Sequence, residues 1–258
     1  MVRSIWHRWR KLGTSTFLGW AAYRLAQRLM RLDVTRVVWL ESANFPEPAG
    51  DGLAFRFLDA EEVRRHSRDP AHGLDASPAD RLEGGQDFCF AAVDGERLAA
   101  YAWFALGSIE AENNRGRFEN SGIAASFPEH VAFMYNGFTH PDYRGRGLYG
   151  QVNGLALRAL SVHGVQSLLS TMDWTNRAAR KSCARLGYRQ LGFNWRWGWR
   201  NWMHTRATRG AAQYGVHFGD EALVQPRRPT SPTRAGLSCK PSAAQWQNPS
   251  LAASNSTF

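Results

Sequence analysis

Twelve residues near the middle of the chain constrain it most: Thr139-His140-Pro141-Asp142-Tyr143-Arg144-Gly145-Arg146-Gly147-Leu148-Tyr149-Gly150. Just before them, Val131 to Thr139 (VAFMYNGFT) is rich in apolar and β-favouring residues and predicts a strand. Just after them, Val152, Leu155, Ala156 and Leu160 recur at helical spacing and predict a helix from Tyr149 to Val162. Gly145 and Gly147 let the backbone turn tightly between the two and leave amide N–H groups unobstructed. The helix start aims the positive end of its dipole at the same corner, and Arg144 and Arg146 add full charge. Such a corner suits an anion of pyrophosphate size. Glycine spacing alone fits a plain structural turn equally well, so the surrounding pattern has to decide.

Around this stretch strand and helix signals alternate. Leu53 to Leu58 reads as a strand, and Asp59 with Glu62 forms a capping-box pattern that opens a short helix through Arg65. Ser77-Pro78 marks a second helix start. Phe88 to Val93, the turn Asp94-Gly95 and Leu98 to Leu106 read as a hairpin. Glu110 to Ser126 is polar and reads as a loop, Ser167 to Met172 as a strand, and Asn176 to Leu186 as a helix stopped by Gly187. Tyr188 to Trp202 is aromatic and alternating, which predicts a terminal hairpin with Trp195, Trp197 and Trp199 on one face and Arg196 and Arg200 on the other.

The ends differ from this body. Thr14 or Ser15 is expected to cap a helix running to about Asp33, with Leu18, Ala21, Ala22, Leu25, Leu29 and Leu32 on one stripe and Arg24, Arg28 and Arg31 opposite. Asn44 to Gly52 reads as a linker, and from Asp220 onward Pro, Ser, Ala and Asn predict a disordered tail. Three parts are expected: a basic amphipathic helical extension over 1–45, an α/β domain over 46–219 and the tail over 220–258.

The chain carries a formal net charge of +10, which taken alone points to a polyanion partner. Residues 1–36 hold eight basic residues against the single acid Asp33, whereas residues 37–219 hold 20 basic and 19 acidic residues. The body is thus nearly neutral, which argues against a nucleic-acid groove. Two readings fit the basic leader: a helix packed on the domain with a solvated Arg face, or a helix lying on an anionic membrane with Trp6, Trp9 and Trp20 at the interface. The acid-poor, Arg-rich start also fits an organellar transit peptide, while no secretory signal fits. Three widely spaced cysteines, Cys89, Cys183 and Cys239, argue against a disulfide framework or zinc site and for a reducing, cytoplasmic setting.

With this context, Pro141-Asp142-Tyr143-Arg144-Gly145-Arg146-Gly147-Leu148-Tyr149 resembles the signature of the GNAT superfamily of acyl-CoA-dependent N-acetyltransferases, Arg/Gln-x-x-Gly-x-Gly/Ala opening a helix after a strand. A second element, Asn176, Ala179 and Leu186-Gly187-Tyr188, stands where the family often has Leu-Gly-Phe. The resemblance covers about Leu53 to Trp202. It implies a mixed central sheet, splayed between the parallel strands Val131–Thr139 and Ser167–Met172 and flanked by helices, with acetyl-CoA or another acyl-CoA as cosubstrate and no metal. It further implies that backbone groups of Phe138 and Thr139 pair with the pantetheine arm, that the amides of Arg144, Gly145, Arg146, Gly147, Leu148, Tyr149 and Gly150 hold the pyrophosphate, and that Asn176 and Arg180 face the same cleft.

Two positions depart from the signature. Tyr149 stands where it has Gly or Ala, and Cys183 stands where many members carry a tyrosine that protonates the leaving thiolate. Cys183 fits either a proton donor or a small buried residue. Candidate bases are Glu129, His130, His140 and Asp173, with Glu129 and His130 beginning the key strand and Asp173 ending its partner; Tyr135 could face the acceptor or the core. The implied activity is transfer of an acyl group to a primary amine. Domains of this outline with a basic leader resemble acetyltransferases of bacterial surface-polysaccharide pathways, which implies an amino-sugar acceptor near the inner membrane. The rival is a non-catalytic, membrane-associated or CoA-binding module.

Overall fold

The computed structural model describes residues 14–41, 52–75, 78–114, 121–199 and 202–219. The expected tail, most of the expected linker, Trp6, Trp9, Ser77, Arg200 and Cys239 lie outside the described residues. The chain divides into two compact units that interleave along the sequence: residues 1–43, 107–133 and 166–225 in one, and 44–106, 134–165 and 226–258 in the other.

The first unit opens with α1 (Thr14–Leu29) and β1 (Arg31–Glu41). Here the sequence expectation is corrected. The helix stops at Leu29, and Arg31 to Asp33 already belong to a strand. β1 is paired on both edges, antiparallel to β8 (Ser167–Asp173) and to β9 (Arg189–Trp199), and β9 in turn pairs with β10 (Trp202–Arg206). The stretch expected to form only a helical extension therefore contributes an inner strand, and Val34, Val37, Val38, Trp39 and Leu40 are all buried. The expected packing stripe of α1 also gives way. Tyr23 is the buried anchor, its hydroxyl accepting a bond from the Val34 N–H at 3.3 Å and its ring meeting Trp174 edge-on. The expected loop Glu110–Ser126 ends in a strand, β6 (Ala125–Ser126), which pairs with β5 (Ser108–Ile109) just before the loop and with β11 (His217–Phe218) in a small sheet.

In the second unit β2 (Ala54–Leu58), β3 (Asp87–Asp94) and β4 (Arg97–Leu106) pair antiparallel, and β4 neighbours β7 (Val131–Thr139). Between them α2 (Ala60–Ser67) carries the expected capping box: the Glu62 N–H donates to Asp59 at 2.8 Å, and the Asp59 N–H donates to Glu62 at 3.2 Å. A short helix, α3 (Ala79–Glu83), precedes β3, and α4 (Leu148–Ser161) follows β7 and packs on β3 and β4. Leu98, Trp103, Phe104, Leu148, Leu157 and Leu160 fill this core. The first residues of β7 fall in the other unit, where the His130 carbonyl accepts the N–H groups of Gln166 and Ser167 at 2.8 and 3.2 Å. The starts of β7 and β8 thus lie side by side within the first unit.

Candidate active site

The site is built upward from the second unit, at the C-terminal end of β7. Alternation fails there: Val131 to Tyr135 are buried, and Asn136 takes a left-handed φ of 46°, after which the strand becomes accessible at Asn136 and Gly137. A non-glycine residue at positive φ is costly, and in a strand it re-aims the backbone as a bulge does. The residue before it is held from below. Tyr135 Oη donates to Asp87 at 2.5 Å, and Asp87 accepts two bonds from Arg81 at 2.8 and 2.9 Å. Burial, reinforced by the Asp87 carboxylate, pushes the Tyr135 phenol well above the ordinary tyrosine range, so it stays a donor. Tyr135 therefore belongs to the core side. Asn136, Asp87 and Arg81 are the site-supporting residues that sequence reasoning missed; the Asn-Gly pair inside a strand is the signal for the first.

The loop after β7 is braced at several points. His140 Nδ1 accepts the Asp142 N–H at 3.3 Å and opens the 3-10 turn Pro141–Tyr143, so His140 shapes the turn. Tyr143 is buried, donates to Asp94 at 2.7 Å, and has the guanidinium groups of Arg97 and Arg146 over its ring at 5.5 and 5.2 Å. Arg97 also pairs with Asp142 at 2.6 Å. Arg144 Nε donates to the Thr139 carbonyl at 3.3 Å, so that arginine buttresses the strand end. A cavity of about 320 Å³ lined by Asp69, Ala71, His72, Glu96, Arg97 and His140 adjoins this corner.

Gly145 and Gly147 take φ of 86° and 75°, and no side chain caps α4 at Gly147. Of the seven amides expected to face a pyrophosphate, two are committed within the protein: Arg144 N–H to Pro141 and Gly150 N–H to Gly147. The amides of Gly145, Arg146, Gly147 and Leu148 remain the core of the expected set, with Leu148 itself buried as the anchor. Tyr149 lies over the strand: a methyl group added at Gly137 would stand 3.0 Å from Tyr149 Cε2. The large residue in place of Gly or Ala is thus accommodated by the missing side chain at Gly137.

The remaining expected residues lie in the first unit. Glu129 and His130 are exposed in the turn before β7. Asp173 Oδ1 accepts the N–H and hydroxyl of Thr175 at 2.6 and 2.5 Å. Asn176 caps α5 (Arg177–Arg185), its Oδ1 accepting the Ala179 N–H at 3.0 Å. Arg180 is exposed and close enough to Arg36 to help lower that guanidinium's pKa, behind burial as the larger cause. Cys183 is buried, at 3% exposure. Phe138, Thr139 and Arg144 to Gly150 thus share one unit, and Glu129, Asp173, Asn176, Arg180 and Cys183 the other. Among the described residues no cluster of three His, Cys, Asp or Glu side chains is placed to hold a metal ion.

No family model matches the sequence, and no curated protein matches it. Solved structures do. The fold is similar to that of GNAT-family N-acetyltransferases. A GCN5-related N-acetyltransferase from Kribbella flavida aligns at 19% identity and a TM-score of 0.43, over 67% of this chain and 60% of that one. A GNAT-family acetyltransferase from Colwellia psychrerythraea aligns at 12% and 0.45, over 66% and 57%. A GCN5-related N-acetyltransferase-like protein from Streptococcus suis aligns at 12% and 0.46, over 69% and 67%. The chain spans less than two thirds of the length of the first two.

Proposed function

We propose that this chain is an acyl-CoA-dependent N-acyltransferase. The observation that carries the reading is the β7–loop–α4 corner, with two left-handed glycines, an uncapped helix start and Arg146 fixed over Tyr143. Such a corner holds a pyrophosphate through backbone N–H groups and one positive charge. In this reading the backbone of Phe138 and Thr139 receives the pantetheine arm, Asn176 offers its amide nitrogen, since its oxygen is taken by the cap, and Arg180 adds charge. The re-aimed backbone at Asn136 supplies donors for the thioester oxygen.

The reaction is direct attack. The amine nitrogen bonds to the thioester carbonyl carbon, the C–S bond breaks, the thiolate takes up a proton, and the amine nitrogen releases one to a base. Asp173, at the end of β8, is the carboxylate assigned to that base, acting directly or through water. Glu129 precedes the start of β7, about 20 Å along the strand from Asn136, and is set aside as the base. The acceptor is a primary amine. An amino sugar of a surface-polysaccharide pathway is the narrower form of the proposal, and the basic leader suits a peripheral position at an anionic membrane surface. Release of free thiol from acetyl-CoA with a panel of amines and amino sugars tests the activity. Turnover with any of them supports it. Retained CoA binding without turnover favours the non-catalytic CoA-binding module, a reading to which the burial of Cys183 lends weight.

A buried thiol on α5 is placed for packing. Cys183→Ala is expected to leave the pH–rate profile unchanged and to cost about 1 kcal/mol of stability. Loss of turnover with a displaced alkaline limb, measured from pH 6 to about 9 around the ordinary thiol pKa, would return the proton-donor role to Cys183.

A further inference from the structure

The unit that carries the N-terminal helix exposes large apolar side chains together with arginines. On α1, Leu18, Leu25 and Leu29 are 61%, 59% and 62% exposed, and their spacing sets them on one stripe. On the β9–β10 hairpin, Trp195, Trp199 and Trp202 are 44%, 64% and 77% exposed. Trp199 and Trp202 face each other directly across the hairpin, and Trp195 shares their face by strand alternation. The two elements are linked through β1. Arg31, two residues after Leu29, pairs with Gly198, the neighbour of Trp199. Exposed apolar side chains of this size mark an interaction surface.

Charge identifies the partner. Residues 189–219 contain five arginines and no Asp or Glu, and the leader 1–36 contains eight basic residues against one acid. Arg206, which pairs directly with Trp195, is exposed on the tryptophan face, and Arg209 is exposed a few residues on. A two-fold contact with a second copy would set arginine against arginine. An anionic headgroup layer instead neutralises the arginines, while tryptophan, apolar with one polar edge, suits the membrane–water boundary. No described helix is long and apolar enough to cross a membrane, and a surface-lying helix needs neither property. We infer that the Trp199–Trp202 hairpin is a second membrane anchor in addition to α1, docking on anionic lipid headgroups. The inference rests on the membrane-surface reading of the basic leader and is independent of the acyl-transfer chemistry.

Because residues 31–36 belong to an inner strand, the test uses substitutions in the full chain and no truncation there. Wild type, Trp199→Ala/Trp202→Ala and Leu25→Gln are sedimented with phosphatidylglycerol–phosphatidylcholine vesicles and with phosphatidylcholine alone. All three positions are exposed, so the variants keep the fold, which a thermal melt verifies. Wild type is expected to bind the anionic vesicles selectively, with its tryptophan emission shifted to shorter wavelength, and the tryptophan pair to weaken partitioning about tenfold. Wild-type affinity in the tryptophan variant together with weakened Leu25→Gln would overturn the hairpin anchor and leave the leader reading standing. No binding by wild type would overturn both. A dimer in sedimentation velocity that the tryptophan substitutions dissolve would assign the face to a second copy and overturn the lipid assignment.

Discussion

Gly147→Val is expected to abolish coenzyme A binding while the chain still folds. Gly147 stands at a φ of 75° in front of α4, with open space where a side chain would project. A β-branched residue in that backbone region costs about 1–2 kcal/mol, a loss that an ordinary domain survives. Binding should suffer far more. The new side chain would project from the loop whose amides are assigned to the pyrophosphate, and relief of the strain would turn those amides away. Gly164 gives the control. It has a φ of 89° and equally open surroundings, but it follows the far end of α4. Gly164→Val should lower the melting temperature similarly and leave CoA affinity intact. Calorimetric titration with CoA decides the matter. Unchanged affinity in Gly147→Val would contradict the pyrophosphate assignment, and equal loss in both variants would trace the effect to general strain.

What could be read from the sequence follows from how local each signal is. β7 has the predicted limits, Val131 to Thr139, and α4 differs from its prediction by one residue at each end, because strand composition, paired glycines and helical spacing all sit within one short segment. β1 was hidden by its own burial. Leu25, Leu29 and Leu32 continue a helical rhythm across Met30, and the stretch Val37 to Leu40, buried on both faces, carries a run of apolar residues in place of alternation. The stripe of α1 was legible as a stripe, but periodicity does not say whether the apolar side faces a sheet or solvent. In the candidate site, the glycines and arginines of the loop were legible because they are contiguous. The supports under it were not. Tyr143 reaches Asp94, 49 residues away, and Tyr135 reaches Asp87, 48 residues away. A single sequence carries no mark of which distant polar residues meet.

The second of those supports carries the largest expected loss of stability. Asp87 is fully buried and holds two partners, the Arg81 guanidinium and the Tyr135 hydroxyl, beside the ring of Trp103 at 6.2 Å from that of Tyr135. Asp87→Ala would take the carboxylate away from a mostly buried guanidinium and leave the buried Tyr135 hydroxyl without its acceptor. Breaking a buried pair from one side costs about 3–5 kcal/mol, a large part of the margin of a typical domain. Tyr135→Phe removes only one bond and leaves the ion pair whole, so about 1–2 kcal/mol is expected. Urea unfolding of the two variants and of Arg81→Met/Asp87→Leu separates the causes. If the penalty comes from breaking the ion pair from one side, the apolar pair should recover most of it. Equal loss in the pair and in Asp87→Ala would instead place the penalty in packing. The consequence for chemistry follows from adjacency. Tyr135 immediately precedes Asn136, whose left-handed backbone turns the strand outward, and a tyrosine fixed at its hydroxyl limits how far that turn can relax. Tyr135→Phe should therefore lower kcat more than it weakens CoA binding. The pyrophosphate loop is braced separately, by Tyr143 on Asp94, and keeps its shape when Tyr135 loses its bond.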